Sequence, residues 1–336
     1  MRSPAALVSA AALALSIVAA ARAEQGSKPA GAPAPPPAVR SLHVQGNVWM
    51  INAGTVNVAA QIGDQGVLLV DTGTEGLAEA ILTEVRRLAG DKPIRYIINT
   101  HSHRDHAGGN VKIAGAGKSI ISGNFAAQAA PGAADAAKIF AHEQTQMRMQ
   151  AEGPDGLPAA GWATDTFFVA KDAFYFNGEA VELLHQPDAH TSGDVMVHFR
   201  KSDVIAAGDT YINTTFPVIN RDHGGSYAGI LAALNRIIDI TVPRDKAEGG
   251  TYVIPGHGRL ADEADVVDYR DMATIVRDRI RDAIDRKQSL EQVKAARLVR
   301  DYEGRFGASQ GAWTTDAFIE AAYRSLSPAR AAAGAR

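Results

Sequence analysis

The stretch NTHSHRDHAGG, residues 99–109, places three histidines and a carboxylate within six residues. His101 and His103 are two positions apart, so in an extended segment their side chains point to the same side. Asp105 and His106 follow at the start of a short predicted helix and can face a second point nearby. Imidazole nitrogen and carboxylate oxygen are ligands that suit Zn²⁺. The stretch therefore predicts a metal centre.

The composition limits the chemistry that such a centre can use. The chain has 336 residues, no cysteine and a formal net charge of −3. Without cysteine there is no thiol nucleophile, no disulfide and no thiolate ligand, so a metal must be held by His, Asp or Glu. The small net charge gives no sign of a nucleic-acid-binding surface.

The N-terminal residues have the features of an export signal. An apolar run follows Arg2 and ends in Ala21-Arg22-Ala23, which has the form of a cleavage site. This predicts cleavage after Ala23 and a periplasmic or secreted protein that keeps no stable membrane span. The alternative is an uncleaved anchor, but the apolar run is short for a membrane span. The expected organisation is a signal peptide over 1–23, a Pro/Ala-rich disordered linker over 24–40, a folded domain over 41–327 and a frayed tail over 328–336.

The apolar patterning predicts a mixed α/β (α+β) fold with two β layers, each covered on its outer side by helices. Short β-branched runs separated by turn residues predict strands from Leu42 to Val70 and again from Phe167 to Asp209. Apolar residues at helical spacing predict helices near 74–90, 225–240, 261–285, 289–304 and 315–326, and residues 131–165 are expected to form a helical insertion.

Further ligands are expected at other strand ends, because the four in the first loop are too few for two metals. His190 lies in DAHTSGD, Asp209 directly follows the apolar run VIAAG, and His257 lies in PGHG. Each would stand where a strand ends in tight-turn residues, a position from which a rigid scaffold presents functional groups. Taken singly, each segment also fits an ordinary turn or surface loop.

In this order, HxHxDH, His, Gly-Asp and Gly-His resemble the metallo-β-lactamase superfamily, and LLVDTG at 68–73 resembles its early Asp motif. The resemblance implies a four-layer αβ/βα sandwich, here followed by C-terminal helices, with a binuclear metal site at one edge. The implied ligands are His101, His103 and His190 for the first metal, Asp105, His106 and His257 for the second, and Asp209 as a bridge.

One residue departs from the β-lactamase pattern. Asp209 stands where the β-lactamases of this superfamily usually carry Cys or Ser, and a bridging aspartate is more similar to glyoxalase-type thioesterases, lactonases and related hydrolases. The resemblance implies two Zn²⁺ per chain, with iron or manganese as alternatives. We therefore expect an exported zinc-dependent hydrolase that uses a metal-bridging hydroxide to cleave a small ester, thioester, lactone or amide, with β-lactams among the candidates.

The implied centre assigns roles to further residues. Two Zn²⁺ with Asp105, Asp209 and a hydroxide leave about one positive charge, which predicts an anionic small-molecule substrate. Asp105 is the expected catalytic residue, because it can orient the nucleophile and pass a proton to the leaving group. Asp71 is expected to fix the tautomer of a ligand histidine, with a simple strand-end turn as the alternative.

The segment after Asp209 supplies candidate substrate contacts. Arg221 and His223 lie in the segment NRDHGG, and Tyr211 follows Asp209 by two positions. A structural turn is the alternative for the segment, and packing is the alternative for Tyr211. The remaining expectations are that His43 is exposed before the first strand, His142 lies on a solvated helix face, His185 supports His190 or packs within a strand, and His198 points to solvent or to a covering helix.

Two other classes of function stay open. One is a mono- or di-iron oxidoreductase on the same fold, similar to the persulfide dioxygenases, and the other is a metal-binding protein without catalysis. The complete ligand set disfavours both, and metal content would separate them from a zinc hydrolase. The sequence makes no prediction about the oligomeric state.

Overall fold

The strands of the first half form one mixed sheet. A computed structural model describes residues 39–120, 136–153, 156–246 and 249–328. In this half the sheet order is β1-β2-β3-β4-β5-β6-β7, antiparallel up to β4 and parallel from β4 to β7. The elements are β1 (Val39–Gln45), β2 (Val48–Ala53), β3 (Val56–Gly63), β4 (Gly66–Val70), α1 (Ala78–Ala89), β5 (Ile94–Ile98), α2 (Arg104–Ala107), α3 (Asn110–Gly115), β6 (Lys138–His142), α4 (Glu143–Ala151) and β7 (Asp165–Phe167).

The second half repeats the combination of a sheet and covering helices. Its strands follow the order β12-β11-β10-β9-β8, with β13 paired to β12, and the two sheets meet where His257 of β12 pairs with Val56 of β3. The elements are β8 (Lys171–Phe176), β9 (Glu179–Gln186), β10 (Asp194–Phe199), β11 (Val204–Ile212), α5 (Tyr227–Ile240), β12 (Tyr252–His257), β13 (Ala261–Asp262), α6 (Glu263–Asp285), α7 (Leu290–Ala295), α8 (Arg300–Phe306) and α9 (Thr315–Leu326).

Three hydrophobic cores define four layers. One core packs α1 and α3 against the first sheet. A second lies between the sheets and joins residues of both, for example Leu68 of β4 and Phe199 of β10. The third packs α5, α6 and α9 against the second sheet. The order helix, sheet, sheet, helix is the predicted four-layer sandwich with C-terminal helices.

Helix α1 shows how the sequence produces one of these layers. Ile81, Leu82 and Val85 recur at helical spacing and are all buried against the first sheet. The helix ends at Gly90, which has a φ of 63° that a residue with a side chain rarely adopts. None of the helices in the described ranges combines the length and apolar character that a membrane span requires.

Several predicted segments differ from the structure. Residues 131–165 contain β6 and the start of β7 as well as α4, because short parallel strands carry too little periodicity to be recognised. The helix predicted at 289–304 is divided into α7 and α8, since Arg297 has a φ of 48° between them. The predictions that lie outside the described residues are the signal peptide, the linker up to residue 38, positions 131–135 and 154–155 of the insertion, and the tail from 329.

Three histidines lie in other surroundings than predicted. His43 is exposed as expected, but it lies within β1, which begins two residues before the predicted domain start. His142 is buried at the junction of β6 and α4, so the prediction of a solvated helix face is wrong. His198 is also buried, which excludes solvent as one of its two expected surroundings, because β10 is covered on both faces.

Candidate metal centre

The seven predicted ligands come together at the edge where the two sheets meet. His101 and His103 follow β5, and Asp105 and His106 lie in α2, so the first half of the chain contributes four of them. The second half contributes the other three: His190 after β9, Asp209 within β11, and His257 at the end of β12.

The first group of side chains surrounds one point. Nδ1 of His103 lies 3.1 Å from Nε2 of His101 and 3.0 Å from Nε2 of His190. Oδ2 of Asp209 lies 3.9 Å and 3.7 Å from the same two Nε2 atoms. Tetrahedral zinc with bonds of about 2.0–2.1 Å separates its ligand atoms by about 3.3 Å. The spacing therefore fits one ion of that size.

The second group is arranged in the same way. Nε2 of His106 and Nε2 of His257 are 3.3 Å apart, and Oδ2 of Asp105 lies 3.8 Å from the first and 3.4 Å from the second. Oδ1 of Asp209 lies 3.2 Å from His106 and 3.4 Å from His257. This buried oxygen has no hydrogen-bond partner among the described residues, as suits a ligand atom that faces a cation.

Asp209 connects the two groups. Its Oδ2 faces the histidines of the first group and its Oδ1 faces those of the second. Gly208 before it has a φ of 52°, and a Cβ there would lie 2.6 Å from the side chain of Thr100. The Gly-Asp pair therefore brings the carboxylate close to the loop that follows β5.

Hydrogen bonds turn four of the five histidines so that Nε2 faces the centre. In the neutral form of each ring, Nδ1 donates to an oxygen and the lone pair is left on Nε2. The acceptors are Thr100 Oγ1 for His101 at 3.0 Å, Asp71 Oδ2 for His106 at 2.7 Å, the Val218 carbonyl for His190 at 2.8 Å and the Thr55 carbonyl for His257 at 2.8 Å. Asp71 thus stands where the predicted tautomer-fixing residue should be.

The ionisation of the two groups differs. Burial lowers the pKa of His101 and holds the pKa of His103 at about 3. Burial also opposes protonation in the second group, but Asp209 with Asp71 raises the pKa of His106, and Asp105 with Asp209 raises the pKa of His257 to about 10. A metal bound by the second group would displace protons, because ligand imidazoles must be neutral.

A cavity of about 1210 Å³ opens onto the centre. His103, Asp105, His190, Asp209 and His257 form its floor. One part of its wall is apolar and consists of Ile212, Val218, Ile219, Trp313, Ala317 and Ala321. The wall also contains three arginines, which are Arg221, Arg259 and Arg324.

The three arginines of the cavity are not equivalent. Arg259 pairs with Asp265 and Arg324 pairs with Glu320. Arg221 lies on the loop between β11 and α5, is exposed, and forms no ion pair with any other residue that the structure describes. It is therefore the arginine that is free to meet an anionic group.

The other two predicted substrate contacts lie away from the cavity wall. The ring of His223 is 5.2 Å from that of His103, behind the wall. Tyr211 is buried and packs edge-to-face on Tyr269 with 5.3 Å between ring centroids, the packing role that was its alternative. Likewise His185 stacks on His142 at 3.6 Å and does not touch His190 by any described contact.

One residue of the site was not predicted from the sequence. Nδ2 of Asn220 lies 2.8 Å from Nε2 of His103, and Asn220 also lines the cavity. A polar residue within the apolar segment FPVIN was the available signal. It could not be assigned a partner, because 117 residues separate the two side chains along the chain.

The structure thus combines a four-layer αβ/βα sandwich with two adjacent groups of His and Asp side chains that could hold metal ions. The family model of the metallo-beta-lactamase superfamily matches residues 44–299. The chain belongs to this superfamily.

Comparison with individual proteins gives more distant relationships. The 2,4-dinitroanisole O-demethylase subunit alpha of a Nocardioides strain is 30% identical over 184 residues, which cover 52% of this chain and 49% of that protein. The chain thus spans about half the length of this curated relative.

Two solved structures share the fold at low identity. The metallo-beta-lactamase from Pontibacter korlensis has a TM-score of 0.50 at 17% identity, over 70% of this chain and 99% of that one. The stereoselective inverting sec-alkylsulfatase Pisa1 from a Pseudomonas species has a TM-score of 0.57 at 16% identity, over 85% of this chain and 50% of that one. At these identities the likeness concerns the fold alone.

Proposed function

We propose that this protein is an exported zinc-dependent hydrolase that cleaves a small anionic ester, thioester, lactone or amide, with β-lactams as further candidates. The observation that carries the proposal is the division of the Asp209 carboxylate between two complete ligand groups. A carboxylate shared in this way suits two metals that act on one substrate. Iron or manganese could occupy the same ligands, and metal content distinguishes them.

The residues would hold the metals as the geometry groups them. His101, His103 and His190 would bind the first, and Asp105, His106 and His257 would bind the second, with Asp209 between them. When bound, zinc supplies a nucleophile near neutral pH, because it lowers the pKa of water from 15.7 to about 7.

Asp105 is the candidate for proton transfer. Its carboxylate is part of the second ligand group and also lines the cavity, so it borders both the metal and the substrate. Burial raises its pKa, but His257 and His106 lower it by more, and the net shift is downward. Asp105 is therefore an anion near neutral pH, able to accept a proton from the attacking water and deliver it to the leaving group. Water adds across the cleaved bond overall.

The cavity supports an anionic substrate with an apolar part. Arg221 would bind the anionic group, since it has no acidic partner among the described residues. The apolar body would lie against Trp313, Ala317 and Ala321. These last residues lie beyond the part of the chain that matches the family model, so substrate choice would depend partly on the C-terminal helices.

A substrate panel with metal analysis tests the proposal. The panel would contain a β-lactam, thioesters, lactones and carboxylic esters, together with a sulfate ester and a nitroaryl methyl ether that represent the two relatives named above. We expect about two zinc ions per chain and turnover of at least one acyl substrate that a chelator abolishes. Asp209→Asn should lower that turnover by about a hundredfold or more, whereas Asp64→Asn, at a fully exposed site, should not change it.

Other outcomes would overturn specific parts of the proposal. A single iron per chain with oxygen-dependent turnover would support the oxidoreductase instead. Zinc binding without turnover on any member of the panel would support a metal-binding protein. Export rests on the N-terminal sequence, and a mature N-terminus other than Glu24 in the periplasmic or secreted fraction would contradict the expected cleavage.

A further inference from the structure

Asn220 lies between a metal ligand and the loop that carries Arg221. Its backbone is held by the 3.0 Å bond from its N–H to the carbonyl of His190, and its own carbonyl accepts from Gly225 at 2.8 Å. Its side-chain Nδ2 lies 2.8 Å from Nε2 of His103, and its Oδ1 accepts from the backbone N–H of His223 at 3.1 Å. The amide therefore has its position fixed on both sides.

His103 differs from the other four histidines of the centre. It presents Nδ1, not Nε2, to its ligand group, so Nε2 is the nitrogen that points outward to Asn220. A neutral imidazole carries one hydrogen. When Nδ1 binds a metal, that hydrogen must be on Nε2, where it would face the NH₂ group of Asn220, and two donors would oppose each other.

We infer that Asn220 is a positioning residue for His103: with a metal on Nδ1, the amide makes a half-turn and Oδ1 accepts the hydrogen of Nε2. The oxygen and nitrogen of the amide then exchange places while its carbon atoms stay where they are. The inference rests on the metal-binding part of the proposed function and does not need hydrolysis.

The surrounding backbone permits the half-turn. After the half-turn the NH₂ group would face the N–H of His223 in place of Oδ1, so two donors would oppose each other there instead, but this N–H keeps the backbone carbonyl of Asn220 as its acceptor at 3.2 Å. No backbone donor would be left without a partner. Asn220 also begins the turn that carries Arg221 and Asp222, which both line the cavity. The orientation of His103 and the position of this turn would therefore depend on the same side chain.

Zinc affinity in two variants tests the inference. Asn220→Asp offers an acceptor in either orientation, and we expect the full chain with this change to bind zinc at least as tightly as the wild type. Asn220→Leu has a similar shape but no acceptor, and we expect affinity to fall by about tenfold to a hundredfold in competition with a chelator. Asn235→Asp and Asn235→Leu, at an exposed position of α5, control for added charge and lost polarity.

The position of the hydrogen is a second readout that a purely structural role would not affect. In ¹⁵N-histidine spectra of the zinc-loaded protein, His103 should carry its hydrogen on Nε2, and that hydrogen should exchange with water more slowly in the wild type and in Asn220→Asp than in Asn220→Leu. A hydrogen on Nδ1, unchanged affinity in Asn220→Leu, or equal weakening in both Asn220 variants would overturn the inference. If the leucine variant does not fold, the aspartate variant and the spectrum still decide. Zinc binding without turnover would end the hydrolase proposal and leave this inference standing.

Discussion

The carboxylate of Asp71 accepts a hydrogen bond from Nδ1 of His106 at 2.7 Å, deep beneath the second ligand group. The same carboxylate accepts from the hydroxyl and the backbone N–H of Thr100, each at 2.8 Å. Thr100 in turn contacts Nδ1 of His101. One buried side chain at the end of β4 thus orients a histidine in each ligand group, directly for His106 and through Thr100 for His101.

Asp71→Asn is expected to weaken zinc binding. Asp71 has a φ of 66°, a conformation that asparagine tolerates well, so the change alters the acceptor and leaves the backbone unstrained. An amide nitrogen turned toward His106 would oppose its N–H, and an amide oxygen there would be a weaker acceptor than a carboxylate. We expect about a tenfold to hundredfold loss of affinity for at least one of two zinc ions, measured by chelator competition.

A matched control exists for this change. Asp188 also has a positive φ, 52°, and its side chain is exposed outside the centre. Asp188→Asn should bind zinc like the wild type. Equal zinc affinity in Asp71→Asn and Asp188→Asn would contradict a role for Asp71 in orienting the ligands.

Arg221→Ala is expected to raise KM for an anionic substrate by about tenfold, which corresponds to about 1.4 kcal/mol for a solvent-accessible charged contact. Turnover at saturation should change little, because Arg221 lies on the cavity wall and outside both ligand groups. Steady-state kinetics on an anionic substrate and its neutral analogue would measure this. The KM of Arg221→Ala for the neutral analogue should not change. The control variant Arg300→Ala, at an exposed position of α8, should keep the wild-type KM for both substrates. An equal rise in the KM of Arg221→Ala for both substrates would indicate a loss of packing instead.

The stability of the protein should fall between pH 7 and pH 5 partly through His142. Burial and the neighbouring His185 lower the pKa of His142 from 6.5 to about 4. The unfolded chain therefore takes up this proton first as the pH falls, and the free energy of unfolding decreases. At 1.36 kcal/mol per pH unit this contributes about 2 kcal/mol of the loss by pH 5.

Urea unfolding of His142→Asn at pH 7 and pH 5, in excess chelator, isolates this contribution. Asparagine is a good N-cap residue, so it can replace the acceptor that His142 offers to Gln144 at the start of α4. The variant should lose about 2 kcal/mol less than the wild type between the two pH values. His43→Asn, at an exposed site in β1, should behave like the wild type. Parallel losses in all three proteins would show that His142 does not contribute.

Phe318→Ala should destabilise the fold by about 3–5 kcal/mol. Phe318 of α9 is fully buried, and its ring stacks on Phe216 with 4.6 Å between centroids and 4° between planes. Urea unfolding at neutral pH measures the change. Phe168→Ala is the control, because 74% of that side chain is exposed and its truncation should alter stability by no more than about 0.5 kcal/mol. Similar values for the two variants would mean that α9 is not part of the cooperative core.

The parts of the structure that follow from local sequence were predictable. Helices α1, α5 and α9 begin and end within a few residues of the predicted positions, since each combines a wide apolar face with a distinct end. The clustering of the candidate ligands in the first loop was predictable because His101 to His106 are neighbours in the chain. The later ligands His190, Asp209 and His257 needed the family pattern in addition.

The parts that depend on tertiary packing were not predictable. His142 was placed on a solvated face, but β6 inserts the residue into the sheet beside His185. His198 was expected to point to solvent or to a covering helix, and only the folded chain shows that both faces of β10 are covered. Asn220 could not be connected with His103, because only the folded chain brings them together. In each case the deciding neighbour comes from a distant segment.

The candidate metal ligands come from both halves of the chain, and the sheets to which those halves belong meet through the pairing of His257 with Val56. An ion bound by His106 and His257 would therefore tie the halves to each other as well as prepare the site for chemistry. An ion that binds only the folded chain raises the free energy of unfolding, and the increase grows with the logarithm of the ion concentration. At a concentration of a thousand times the Kd, the increase is about 4 kcal/mol. If the proposed zinc site is correct, the concentration of free zinc would thus set the folding stability of this protein as well as its occupancy.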